Sequence, residues 1–188
     1  NVSLDELREA LDPGLPLAGG VEVRGRLSGP FSDPRAEMDL ALRNPNAAGY
    51  LLDELAMRGV FSQRTLYLDD FRLRRGGGRA KGWAELDFNG EQPSLAGQLD
   101  FYGIDPTELA PAHAAALPGD LNGRLRLETV AHEPGEHSLE LELFPGELGG
   151  VDIQGIKLAA LGDVNDLTLT RGLIRLAGGR LNLTGGLR

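Results

Sequence analysis

The chain contains no cysteine, two methionines, one tryptophan and three tyrosines, and aromatic residues make up 5% of its 188 positions. Without cysteine there is neither a disulfide framework nor a thiolate metal site. The shortage of aromatics removes the large flat side chains that dominate many cores, so the apolar surface is aliphatic: 35 residues are leucine. No run reaches the roughly 18 apolar residues of a membrane-crossing helix, and no signal-peptide pattern opens the chain. It begins at Asn1 without a start methionine and stops just after a strand-like run, as expected of a piece of a longer protein. Cations are outnumbered and scattered, 19 Lys and Arg against 28 Asp and Glu for a net charge of -9. Nucleic acid is therefore not an expected partner, because neutralising its phosphates takes clustered cations.

What is present is enough apolar content, 41%, to fold, 27 glycines, and an internal repeat. A shift of 100 residues places Asp5 on Asp105, Leu17 on Leu117, Gly19 on Gly119, Arg24 on Arg124, Arg26 on Arg126 and Leu27 on Leu127. A shift of 101 aligns Gln63 to Leu86 with Val164 to Leu187, with Leu66, Leu68, Arg74, Gly77, Gly78, Arg79 and Leu86 meeting identical residues. Self-similarity at a fixed period signals stacked units. The expected division is one unit over residues 1–102 and a second over 103–188.

Each unit opens on a helix signal. Ser3 and Glu6 form a capping box before Leu4, Leu7 and Leu11, and Pro13-Gly14 ends it. Asp105 and Pro106 start the second. After these openings the apolar period falls to two, which puts one face of a strand inside. Val21, Val23 and Leu27 alternate with charged residues, as do Met38, Leu40 and Leu42. The same holds for Leu66, Leu68, Phe71, Leu73, Leu86, Phe88, Leu99 and Phe101. In the second unit the pattern returns at Leu125, Leu127, Leu139, Leu141, Leu143, Val151 and Ile153, then at Leu167, Leu169, Ile174, Leu176, Leu181 and Leu183. Tyr50 to Val60 has helical propensity, but its counterpart Val151 to Leu161 carries β-branched residues and an internal glycine, so both are read as strands. Parity changes at Asp69-Asp70 and at Gly155 read as bulges that restore facing. Gly29-Pro30, Asn44-Pro45-Asn46, Gly76-Gly77-Gly78, Asn89-Gly90 and Pro134-Gly135 read as connections between strands. The expected fold is all-β, an antiparallel meander folded over into a groove, with the apolar positions above as its lining.

No pattern of residues carries catalysis. His132 and His137 are five apart with Pro-Gly between them, whereas a zinc-protease helix needs two histidines four apart on one face. His113 stands alone in an alanine-rich stretch. Gly76-Gly77-Gly78 leads into a strand where a phosphate loop would lead into a helix. Asp163, Asn165 and Asp166 could offer oxygens to calcium, but the other unit has Ser62, Arg64 and Thr65 there. Asn182-Leu183-Thr184 fits a glycosylation acceptor, a triplet common by chance. Trp83, opposite in parity to Ala84, Leu86 and Phe88, is expected on the polar face or at an edge. No cofactor or metal is expected, and no enzyme.

The order of features resembles the repeats of the TamB family, related to AsmA-like proteins of the bacterial envelope. The resemblance lies in LAGGVEVRGRLSGPFSDPRAEMDLAL (Leu17 to Leu42) and LYLDDFRLRRGGGRAKGWAELDF (Leu66 to Phe88), and more loosely in Leu117 to Leu127 and Leu167 to Leu187. It implies a long folded-over sheet with an apolar inner face, anchored in the inner membrane and reaching across the periplasm. It also implies a conduit for lipid acyl chains toward the outer membrane, and an outer-membrane barrel as partner in protein assembly. The chain's own chemistry agrees with part of this, since a sheet with one apolar face must fold over, meet a second sheet or be filled by a ligand. The rival expectation is a structural β-solenoid or sandwich, a scaffold or adhesin segment whose core is filled by its own side chains.

Overall fold

Two-residue alternation produces strands wherever it occurs. The computed structural model describes residues 2–3, 17–30, 34–47, 50–90, 92–105, 119–129, 136–162 and 167–187. These form β1 (Val2–Ser3), β2 (Leu17–Ser28), β3 (Arg35–Ala47), β4 (Tyr50–Leu51), β5 (Glu54–Ser62), β6 (Thr65–Arg75) and β7 (Gly78–Asp87). They continue as β8 (Ser94–Ile104), β9 (Leu121–Thr129), β10 (His137–Leu143), β11 (Gly146–Leu148), β12 (Val151–Gly162), β13 (Leu167–Leu176) and β14 (Gly179–Leu187). All belong to one antiparallel sheet whose strands follow chain order, with β4 paired beside β3 and β11 beside β12. Twelve strands lie on the path and its ends do not meet, so the sheet is open. At about 4.8 Å per strand it is about 53 Å across.

The ambiguous segments are strands, as the alternation requires: Tyr50 to Val60 supplies β4 and β5, and Val151 to Leu161 lies in β12. No helix occurs among the described residues. The two expected helix openings fall outside them, except that Ser3 stands in β1 opposite Gly20 and Asp105 follows β8. His113, His132 and the Asp163, Asn165, Asp166 group also lie outside. The expected unit boundary at residues 102 and 103 falls within β8, which pairs with β9 like any other neighbour, so the sheet crosses it without interruption.

One expected break is not a break. β3 runs through Asn44-Pro45-Asn46 to Ala47. Gly20 pairs with Arg43 and Ala18 with Asn46, which places a bulge at the proline. Asn44 takes a φ of 49° there, and its N–H donates to Asp53 O at 2.9 Å. A proline lacks the N–H of a ladder rung, and a bulge is where a sheet tolerates it. The β5–β6 hairpin turns through Gln63 and Arg64, both at positive φ (51° and 58°) without being glycine. Asn89 supports this turn, its side-chain amide donating to Gln63 O at 3.0 Å.

Candidate functional site

Directly paired residues of antiparallel strands point to the same side of the sheet, so the register alone assigns the faces. From β2 to β14 one row reads Val21, Leu42, Leu55, Leu73, Ala80, Phe101, Gly123, Leu143, Ile156, Ile174, Leu181. A second reads Gly25, Met38, Gly59, Leu68, Ala84, Gly97, Leu127, Leu139, Ala160, Leu169, Gly185. No polar side chain interrupts either row. Between them run Val23, Leu40 and Met57 on one side of the β6 bulge, and Phe71, Gly82, Leu99, Leu125, Leu141, Leu158, Gly172 and Leu183 on the other. Leu27 continues through Ala36 and Phe61 to Leu66, Leu86 and Leu95. Ile153 meets Leu176, with Val151 two residues before it on the same strand. Leu167 pairs with Gly162 and Leu187. Phe88 lies just past β7, its N–H donating to Arg64 O at 2.9 Å.

The bulges make this continuity possible. A slip of one residue would turn the rest of a strand over. Register shifts occur between Leu68 and Phe71, as Asp69-Asp70 foretold, between Ile153 and Gly155, and between Leu169 and Gly172. In each strand the apolar parity changes at the same place. Reading the sequence missed Leu55, Met57, Phe61, Leu95, Ile156, Leu158 and the glycines of the face. The Leu55, Met57, Gly59, Phe61 alternation was the available signal, obscured by the helical propensity of its surroundings. Most of these glycines are sites of close approach, Gly185 excepted: a Cβ on Gly123 would stand 2.8 Å from Phe101 Cζ and 3.1 Å from Leu143 Cδ2, so the two larger side chains close over it.

The face is apolar but only partly covered. Among the described residues no side chain is below 2% exposed; Val21, Leu143, Ile153 and Ile156 are buried, whereas Leu27 is 75% and Val23 55% exposed. The most exposed of these, Leu27 and Val23, lie on β2 near the edge of the sheet.

The opposite face carries ion pairs that cross between adjacent strands. Asp39 accepts from Arg58 at 2.9 Å, Asp100 from Arg124 at 2.6 Å, and Glu142 from Lys157 at 2.6 Å, each across adjacent strands. Burial pushes Asp100 up, but hydrogen bonds from Arg124 and Gln98 and the Arg124 charge hold it below the usual carboxylate range. The Lys157 hydrogen bond lowers Glu142 against a smaller opposing effect of burial. Asp87 is lowered by the backbone and side-chain N–H groups of Asn89, at 2.9 and 2.6 Å. Trp83 sits on this face, opposite Gln98 and 46% exposed, in a central strand.

The arrangement offers a broad aliphatic surface on one side and paired ions on the other. Comparison with family models, with curated proteins and with solved structures finds no match for the chain.

Proposed function

We propose that this chain is a non-catalytic segment of an envelope protein whose apolar sheet face folds over to hold and conduct lipid acyl chains across the periplasm. In that setting its parent is anchored in the inner membrane and meets an outer-membrane barrel. The observation that carries the reading is the pair of unbroken apolar rows from β2 to β14, most of whose side chains are only partly covered and which open to solvent at the β2 and β14 ends. A continuous apolar surface that stays partly accessible marks an interaction surface. An aliphatic face needs no anchoring residue, since each buried methylene contributes about 0.8 kcal/mol. A 16-carbon chain would thus gain up to about 13 kcal/mol wherever it lay along the sheet, which permits sliding.

In this reading the segment consists of two copies of one unit. Supporting it, the bulges of β6 and β13 lie at residues 69–70 and 170–171, and the β6–β7 and β13–β14 hairpins occupy matching positions at an offset of 101. The scaffold reading draws on one observation, the cluster of Leu143, Ile153 and Ile156 with Phe101, Leu121 and Leu158 packed around it, a local core made by the chain's own side chains.

Photocrosslinkers placed in the parent protein separate the two readings. Positions Leu99 and Leu141 should capture lipid in cells, and Glu37 and Glu140, on the opposite face, should not. Equal capture from both faces, or purified protein free of extractable lipid, would leave the scaffold.

A further inference from the structure

Among the described residues, two cavities of the polar face carry a charge that opposes that of the chain: one lined by Arg124, Arg126, Lys157, Arg171 and Arg175 against Glu140 and Glu142, and one at the β6–β7 hairpin. The latter, of about 810 Å³, is lined by Arg72, Arg74, Arg79 and Lys81, with Glu54, Asp70 and Tyr102. Four cations face two carboxylates there, in a chain of net charge -9.

The carboxylates do not satisfy the cations. Asp70 is taken by Arg72, at 2.6 and 2.7 Å. Glu54 reaches Arg74 only at 3.5 Å. Arg79 has no carboxylate at ion-pair distance among the described residues, and its guanidinium lies 5.9 Å from the centre of the Tyr102 ring. Lys81 pairs across strands with Arg72 on one side and Asp100 on the other, but Asp100 already accepts from Arg124 at 2.6 Å.

Arg74 and Arg79 are also directly opposite each other across the hairpin. Like charges so placed destabilise a sheet, yet the pairing occurs again at Arg175 and Arg180. There the residue opposite the first arginine is Gly155, where β5 has Glu54. The arginine pair is thus present with and without the carboxylate. An anion seated between the guanidinium groups removes the conflict.

We propose that this cavity binds a phosphate-bearing anion, Arg74 and Arg79 gripping its oxygens in bidentate fashion and Lys81 supplying a point charge. Tyr102 forms an aromatic wall and holds the Arg79 guanidinium in place. The volume lies within the usual range for small-ligand sites. The site is on the face opposite the apolar rows and does not depend on the lipid reading. Its phosphate belongs either to a free solute or to a lipid headgroup at a membrane surface.

The test uses the folded chain at low salt, with pyrophosphate titrated calorimetrically and with sedimentation of phosphatidylglycerol vesicles against phosphatidylcholine vesicles. Saturable pyrophosphate binding alone assigns a free phosphate; sedimentation with the anionic vesicles, competed by pyrophosphate, assigns a headgroup. Arg79→Gln with Lys81→Gln should weaken binding at least about tenfold, while Arg26→Gln with Arg35→Gln, on β2 and β3, should leave it unchanged. If the first pair fails to fold by circular dichroism, Arg79→Lys is measured instead: it keeps the charge and loses the bidentate grip, so weaker binding supports the site and unchanged binding overturns it. Equal loss in both double variants, or no response to either probe, also overturns it.

Discussion

Leu99→Asp gives the sharpest test of the apolar face. Leu99 lies in the middle of the sheet, paired with Gly82 and Leu125, and is half-buried. In the lipid-free protein the new carboxylate has water within reach, so the fold loses only the partial burial of one leucine, about 1–1.5 kcal/mol. A lipid chain lying over the residue would remove that water. Binding must then either desolvate the charge or protonate it first. From an ordinary aspartate pKa of about 3.9, protonation at pH 7 costs about 4 kcal/mol, which sets the penalty because desolvating the ion costs more. Affinity for a fluorescent acyl probe should therefore fall about 10³-fold at pH 7. A lipid-covered carboxyl has a raised pKa, so binding is retained at low pH and lost as pH rises; titration toward pH 4 should restore most of it, provided circular dichroism reports an intact sheet. Unchanged affinity at pH 7, or a loss that acid does not reverse in a folded variant, would refute the placement of lipid on this face.

Gly123→Ala places a Cβ 2.3 Å from Glu142 O and 2.8 Å from Phe101 Cζ; urea unfolding should show a loss of about 1–3 kcal/mol. Gly185→Ala has nothing within 4 Å and should gain about 0.4–1 kcal/mol through the unfolded state. Replacing Gln63-Arg64 by Asn-Gly relieves two positive-φ positions, and thermal unfolding should report about 1 kcal/mol of added stability. Asp87, Asp100 and Glu142 have lowered pKa values in the folded chain, so their contribution is present above the unfolded carboxylate range near about 4 and is lost as pH falls through the folded values. Asn and Gln replacements at these three sites should flatten the acid limb of a stability–pH profile, and an unchanged limb would remove them as its source.

The strands, their apolar faces and the bulges at Asp69-Asp70 and Gly155 were legible in the chain because each is a local property: side chains alternate every two residues, and a parity change can only be absorbed where it occurs. Trp83 on the polar face followed from the same parity. The bulge at Asn44-Pro45 was not legible, because proline and asparagine mark a turn equally well; the distinction comes from Gly20, whose pairing with Arg43 carries β3 onward. The Asp100–Arg124 pair joins residues 24 apart in sequence, and the cation cavity takes side chains from β5, β6, β7 and β8, so neither exists until the strands are in register. Whether the apolar face was covered also lay beyond the sequence, because the same alternation serves a closed sandwich and an open sheet. The tertiary path, which never brings the last strand back to the first, excludes a closed barrel, and the degree of cover over the face exists only once the strands are packed.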